Sequence, residues 1–325
     1  MFLNTGETLS FPARQSARFV QGVNIDGHDF FVFADYRTNK ELTIYDREGT
    51  LHSKIGFDSL CYMEGRYFKD CYVTDSVILL VTEVKDHVIT LNHNGELKAL
   101  HYYDNIRDIK DVEFNPTAYL QDSLFYVSAD SYDRNMGLKL SDGVIWCDNQ
   151  NDTNEMWCVI DSFYSRFLKS GDIAVEFTEF LIMDSVIVLT SQYSDSIYLY
   201  NMSGNLKDAI RVKSHYFTTK ANPVTEDMCA KDNDAINHNL WYNSWIYKIV
   251  YDKYREYYYC FINGPQKAKR ISDFSIIVYD TDFNPIFEQL FDGYKYDCIC
   301  YINEEGLFLK KTDSRNHSFS LFTIK

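Results

Sequence analysis

Along the chain, short runs of apolar or alternating residues are broken every few positions by polar turns, with no stretch of sustained helical period. DSVILLVTEVKDHVITLNHNGELK (75–98) and DSVIVLTSQYSDSIYLYNMSGNLK (184–207) are the same length, and 10 of their 24 positions are identical. Each reads as an acidic residue, an apolar strand, a polar loop, a second strand and a turn. Similar strands begin at or near Asp29, Asp122, Glu256 and Glu305, so the anchors number six, at 29, 75, 122, 184, 256 and 305. The second strands are ELTIYD, HVITLN, MGLKL, SIYLYN, FSIIVYD and SFSLFTIK.

Four of these second strands run into a polar turn that contains glycine. DREG (46–49), NHNG (92–95), SDG (141–143) and NMSG (201–204) carry the glycine that a positive φ favours. The fifth unit has DTDFNP instead. It resembles the start of a calcium loop, but Pro285 stands where that loop needs glycine and Phe291 where it needs glutamate, so it reads as a hairpin turn. With another strand before each anchor and one after each turn, a unit holds four strands in about 47 residues. Four-stranded units repeated radially form a β-propeller. The expectation is an all-β, six-bladed β-propeller with four-stranded antiparallel blades, in which residues 1–325 form one domain. The last unit stops after three strands, and the N-terminal TGETLSF is expected to close the ring as its fourth.

IYKIVYDKYREYYYCFINGP, FSIIVYDTDFNPIFEQL, EEGLFLKK and FFVFADYRTNKELTIYD resemble a bacterial TolB-like six-bladed propeller family of unknown function. The resemblance covers most of the chain and brings no established catalytic residues. Members are usually exported lipoproteins, which implies a cell-envelope location, periplasmic or at the surface. The opening MFLNTGETLSF has no basic segment followed by an apolar one, so no signal peptide is read there.

Composition narrows the function classes. A net charge of −15 argues against nucleic acid and against anionic lipid as partners. No apolar run is long enough for a transmembrane helix. The eight cysteines form no CxxC pair, and several lie in strand-like runs, where they read as buried thiols. Cys298 and Cys300 would face the same side of one strand. No nucleotide-binding, metalloprotease or serine-hydrolase motif is present, and neither a metal nor a cofactor is expected.

Candidate chemistry sits where the repeat is interrupted. Two anchor intervals exceed the usual 47 residues, by 15 and by 25, which places insertions at about 148–171 and 211–245. Both join one blade to the next, so they share a face, and long loops on a rigid scaffold are where function concentrates. The second carries His215, Tyr216, His238, Trp241, Tyr242 and Trp245, side chains suited to stacking on a sugar or an aromatic ligand. Loops on the same face carry Arg37, Arg134, Arg270 and Arg315, suited to an anion. Counting five back from the anchors aligns Asn24, Asp70, Thr117 and Glu179 as a polar ring at the axis, with room for a channel-bound cation.

These features predict a monomeric, non-catalytic binding propeller. It would hold a carbohydrate, peptide or small anion, or a protein, at the channel mouth on the face of the insertions. The alternative is a hydrolase or lyase acting on saccharides or lactones, with Asp70 and Glu179 as acid and base.

Overall fold

The computed structural model describes the whole chain except residues 36–39, 57–67, 75, 83–86, 103–111, 122–123, 134–137, 149–152, 158–171, 174–177, 184, 192–193, 219–223, 226–230, 232–240, 269–270 and 313–315. For residues 68–70, the strands between 112 and 179 and a few other strand ends it describes the backbone alone.

The chain runs through β1 (Phe2–Phe11), β2 (Arg18–Ile25), β3 (His28–Asp35), β4 (Glu41–Asp46), β5 (Leu51–Gly56), β6 (Phe68–Val73), β7 (Ile78–Thr82), β8 (His87–Leu91) and β9 (Leu97–Tyr102). Next come β10 (Val112–Gln121), β11 (Leu124–Asp133), β12 (Leu138–Asp148), β13 (Thr153–Trp157), β14 (Asp172–Ile173), β15 (Thr178–Ile182), β16 (Val186–Ser191), β17 (Ser196–Asn201), β18 (Leu206–Arg211) and β19 (Val224–Thr225). The last are β20 (Trp245–Asp252), β21 (Tyr257–Ala268), β22 (Ile271–Tyr279), β23 (Pro285–Phe291), β24 (Tyr296–Ile302), β25 (Leu307–Lys311) and β26 (His317–Ile324).

Five four-stranded antiparallel blades match the repeat read from the sequence: β2–β5 (blade one), β6–β9 (two), β15–β18 (four), β20–β23 (five), and β24–β26 completed by β1 (six). Strand β1 pairs with β26 from Phe2 opposite Ile324 to Phe11 opposite His317. The expected ring of six like blades is corrected at the third unit. There, β10–β13 form a four-stranded sheet on a different plan. Its third strand runs straight through Ser141–Asp142–Gly143, the expected turn, because Asp142 and Gly143 pair with Asp130 and Ala129 of the long β11. Its fourth strand, β13, lies inside the expected insertion 148–171. A two-stranded sheet pairs β14, just past the first insertion, with β19 inside the second, and has no counterpart in the repeat.

The innermost strands lie side by side around the ring: β2 by β6, β6 by β10, β10 by β15, β15 by β20, and β24 by β2. Blades five and six share a core. Period two explains why central strands are apolar without a break. In β3, Phe31 and Phe33 face blade six while Val32 and Ala34 face blade two. In β21, Tyr259 and Phe261 face blade six while Tyr258, Cys260 and Ile262 face blade four. A strand buried on both faces has no polar side to show.

Four hairpins between third and fourth strands share one construction. Asp46, Asn92, Asn201 and Asp280 each accept, through Oδ1, the backbone N–H four residues on. The residue three on takes positive φ: Gly49 (80°), Gly95 (83°), Gly204 (75°) and, in blade five, Phe283 (59°). DTDFNP is thus the same turn with a phenylalanine in the glycine place.

Among the described residues no helix is long and apolar enough to cross a membrane. Cys71, Cys260, Cys298 and Cys300 are thiols rather than disulfides, the first three of them buried.

Candidate binding site

Alternation along four-stranded blades puts first-to-second and third-to-fourth strand hairpins on one face, and the insertions on the other. On the hairpin face, blades one, five and six surround a recess of about 380 Å³.

The recess is organised around Asp29. Blade one turns from β2 to β3 through Asp26 and Gly27, both at positive φ (51° and 80°), a tight two-residue hairpin. That brings Asp29 into the strand, opposite Asn24. Asn24 Nδ2 donates to Asp29 Oδ1 at 2.9 Å. Blade six supplies two more donors, Tyr301 Oη to Oδ1 at 2.6 Å and Asn303 Nδ2 to Oδ2 at 2.8 Å. Burial pushes the Asp29 carboxyl up, but these three hydrogen bonds and the charge of Arg47 outweigh it, and the group stays below the usual carboxylate range. Tyr301 moves the other way, its phenol raised by burial and by Asp29.

Each donor is itself held. Asn303 Oδ1 accepts from the backbone N–H of Glu305 (2.9 Å) and Gly306 (3.3 Å), which fixes the direction of its amide. Tyr301 lies across blade one at Gly22, whose missing side chain makes room for the ring. From blade five, Arg255 donates to the carbonyls of Asn303 (3.1 Å) and Glu304 (2.7 Å) and to Asp252 Oδ2 (2.9 Å). Asp252 is fully buried and also accepts from Tyr259 Oη at 2.5 Å. Across the recess, Arg47 donates to Glu305 Oε1 and Glu7 Oε1, each at 2.7 Å. These contacts tie three blades and the closing strand into one rim.

The lining is polar and acidic. Asp46, Glu48 and Glu304 join Asp29, against the already paired Arg47, and Tyr254 presents a half-exposed ring at the edge. Such a surface offers fixed acceptors and donors to hydroxyl or amine groups and repels anions. Asp29 is held as a carboxylate, so it accepts hydrogen bonds but has no proton to give near neutral pH.

Several residues singled out from sequence fall elsewhere. Asn24 is in the recess, one step beyond the pair that closes its hairpin. Asp70 and Glu179 pair with Val81 and Thr190, deeper along their strands, with Val73 opposite Ile78 and Ile182 opposite Ile187 as the closing pairs. Thr117 lies at a bulge in β10, between Phe114 and Ala118. Counted back from the pair that closes each hairpin, Asn24 stands one residue away and Asp70 and Glu179 three. His215 and Tyr216 sit on the flank of blade five: Glu288 of its outermost strand accepts the His215 N–H at 2.6 Å and the Ser214 hydroxyl at 2.5 Å. Trp241 and Tyr242 lead into β20, with Tyr242 strongly exposed, and Trp245 begins that strand edge-to-face with Tyr247. His238, Arg37, Arg134, Arg270 and Arg315 lie outside the described residues. Among the described residues no group of His, Cys, Asp and Glu is arranged to hold a metal.

A family model of a domain of unknown function, DUF4221, matches residues 17–290. The chain belongs to the DUF4221 family. Its fold is that of a DUF4221 member from Bacteroides vulgatus, with a TM-score of 0.76 at 16% identity over 100% of this chain and 98% of that one. It is more distantly similar to YCF48 from Cyanidioschyzon merolae, with a TM-score of 0.52 at 8% identity over 97% and 85% of the two chains. At these identities the likeness shows the propeller fold and nothing about ligands. No curated protein matches the sequence.

Proposed function

We propose that this DUF4221 propeller is a non-catalytic binding protein for a hydroxyl-rich ligand of the saccharide class, held in the recess between blades one, five and six. The observation that carries the reading is the Asp29 carboxylate, fixed by three donors from two blades at the wall of a preformed polar cavity. Planar, pre-oriented amide and carboxylate groups suit adjacent hydroxyls, and Tyr254 offers a ring face for stacking. A carboxylate below its ordinary range is a poor general acid, which favours binding over hydrolysis. This reading places the ligand on the hairpin face rather than over the insertions, because polar groups converge there. The resemblance to exported propellers supports a cell-envelope setting, which fractionation of the native host would test.

Isothermal titration against a panel of neutral and amino-substituted oligosaccharides tests the binding. Saturable binding of at least one member is expected, weakened tenfold or more by Asn24→Ala and by Tyr254→Ala and unaffected by Asp208→Ala on exposed β18. No binding across the panel, or equal binding by all three variants, would overturn the reading. Consumption of the bound saccharide would show an enzyme instead.

A further inference from the structure

The Asp29 recess carries more negative charge than the recognition of hydroxyls requires. Its lining holds the carboxylates of Asp46, Glu48 and Glu304 besides that of Asp29. Glu48 and Glu304 are exposed, and among the described residues neither has a cationic partner. Asp46 accepts the Thr50 backbone N–H at 2.7 Å and has no ion pair there either. The basic side chains of the lining are Arg47 and His28. Arg47 is held by Glu305 and Glu7, both outside the lining, so its charge is matched before any ligand arrives. Arg255 behind the recess is matched in the same way by the buried Asp252. Even with His28 charged, carboxylates outnumber cations that are free to answer them.

The aromatic side of the recess takes a cation within the chain itself. The Lys253 ammonium stands 5.2 Å from the centre of the Tyr254 ring. An aromatic face attracts a cation through its quadrupole. Burial first, then the charges of Asp29 and Glu304, push the Tyr254 phenol up, so the hydroxyl stays protonated and adds no negative charge. A neutral sugar filling this cavity would strip water from the carboxylates and bring no counter-charge. An ammonium brings a charge and three donors at once.

Building on the saccharide reading above, we infer that the ligand carries a free amine. The recess selects an amino-substituted saccharide over its neutral or N-acetylated counterpart, with the ammonium set between the Asp29, Glu48 and Glu304 carboxylates and the face of Tyr254.

Titration calorimetry of the full-length protein with matched pairs of oligosaccharides tests this, at a pH where the amine is charged. The pairs are glucosamine and N-acetylglucosamine trisaccharides, and the corresponding galactosamine pair, with the plain hexose trisaccharides alongside. At low salt the free amine is expected to bind at least tenfold tighter than its acetylated partner. High salt should shrink that ratio severalfold, because exposed charges are screened. Glu48→Gln combined with Glu304→Gln should reduce it to threefold or less. Equal affinities within each pair, a tighter acetylated member, or binding confined to plain hexoses would overturn the inference and leave the saccharide reading standing. So would a ratio that neither salt nor the folded double variant changes. The salt series on the parent decides by itself should the double variant not fold. No binding by any of the sugars would remove the saccharide reading and this inference with it.

Discussion

The ring of Tyr301 lies so close against Gly22 that a Cβ there would stand 2.1 Å from the tyrosine Cδ2. This approach between the innermost strands of blades six and one is what lets the Tyr301 hydroxyl reach Asp29. Gly22→Ala forces the ring aside within a core that includes Phe31 and Phe319. Overpacking of this kind costs about 1–3 kcal/mol. The melting temperature should fall by several degrees, and saccharide binding should weaken with it. An unchanged melt would mean that Tyr301 has room to move.

Asp29 links stability to pH. Its folded pKa is lower than its unfolded value near 3.8, so the folded state prefers the carboxylate. The resulting stability is fully present above pH 4 and is lost as pH falls through the folded value. Asp29→Asn removes the dependence, keeps a single acceptor oxygen and sets an amide NH2 against at least one of the three donors. Thermal melts from pH 3 to pH 7 should show the parent more stable than the variant at neutral pH, with the gap narrowing below pH 4. A gap that stays constant over this range would contradict the linkage.

Phe283 occupies the left-handed position that glycine fills in three other blades, yet it is buried and its ring stacks on Tyr258 with centroids 4.3 Å apart and planes at 18°. Two terms oppose one another in Phe283→Gly. Relief of the backbone gains about 1–2 kcal/mol, while loss of a buried phenylalanine costs about 3–5 kcal/mol. The ring wins, so urea unfolding should show a net loss of about 1–4 kcal/mol. A stabilised variant would show that the ring contributes little packing.

Ring closure concentrates on Phe11. It is fully buried against Phe31, Phe33 and Phe319, with ring centres 4.4, 5.5 and 6.0 Å away. Phe11→Ala should cost about 3–5 kcal/mol and, in hydrogen exchange, expose β1 and β26 before the other strands. Uniform loss of protection around the ring would show that closure is not a separate weak point.

The repeat was legible because its signals are local. An acidic or amide residue at the start of a turn and a residue able to take positive φ three places on mark Asp46, Asn92, Asn201 and Asp280, even where Phe283 replaces glycine. The third unit misled because Ser141–Asp142–Gly143 has turn composition, and only the length of β11 shows that a partner strand is available to keep it extended. The recess was mostly illegible. Asp29 stood out as an anchor and Asn24 as an axial polar residue, but Tyr301 and Asn303 lie over 270 positions away and meet them only when blade six closes on blade one. The Asn303-to-Gly306 spacing is an amide-led turn signal that could have flagged that hairpin.

Two arginines on the hairpin face differ in what their removal leaves behind. Arg47 bridges Glu7 and Glu305, but all three side chains are between 31% and 43% exposed. Solvent and salt screen such a network, so Arg47→Met should cost no more than about 1 kcal/mol, and less in high salt. Arg255 is the charge partner of Asp252, whose side chain is 0% exposed. Arg255→Met leaves that carboxylate with the Tyr259 hydroxyl and two backbone N–H donors but no cation, a change that costs about 3–5 kcal/mol where a buried pair is broken. It also removes the donor to the Asn303 and Glu304 carbonyls. Denaturant unfolding at low and high salt is expected to rank Arg255→Met well below Arg47→Met, with only the latter sensitive to salt. Equal losses in the two variants would mean that Arg255 acts as another surface pair.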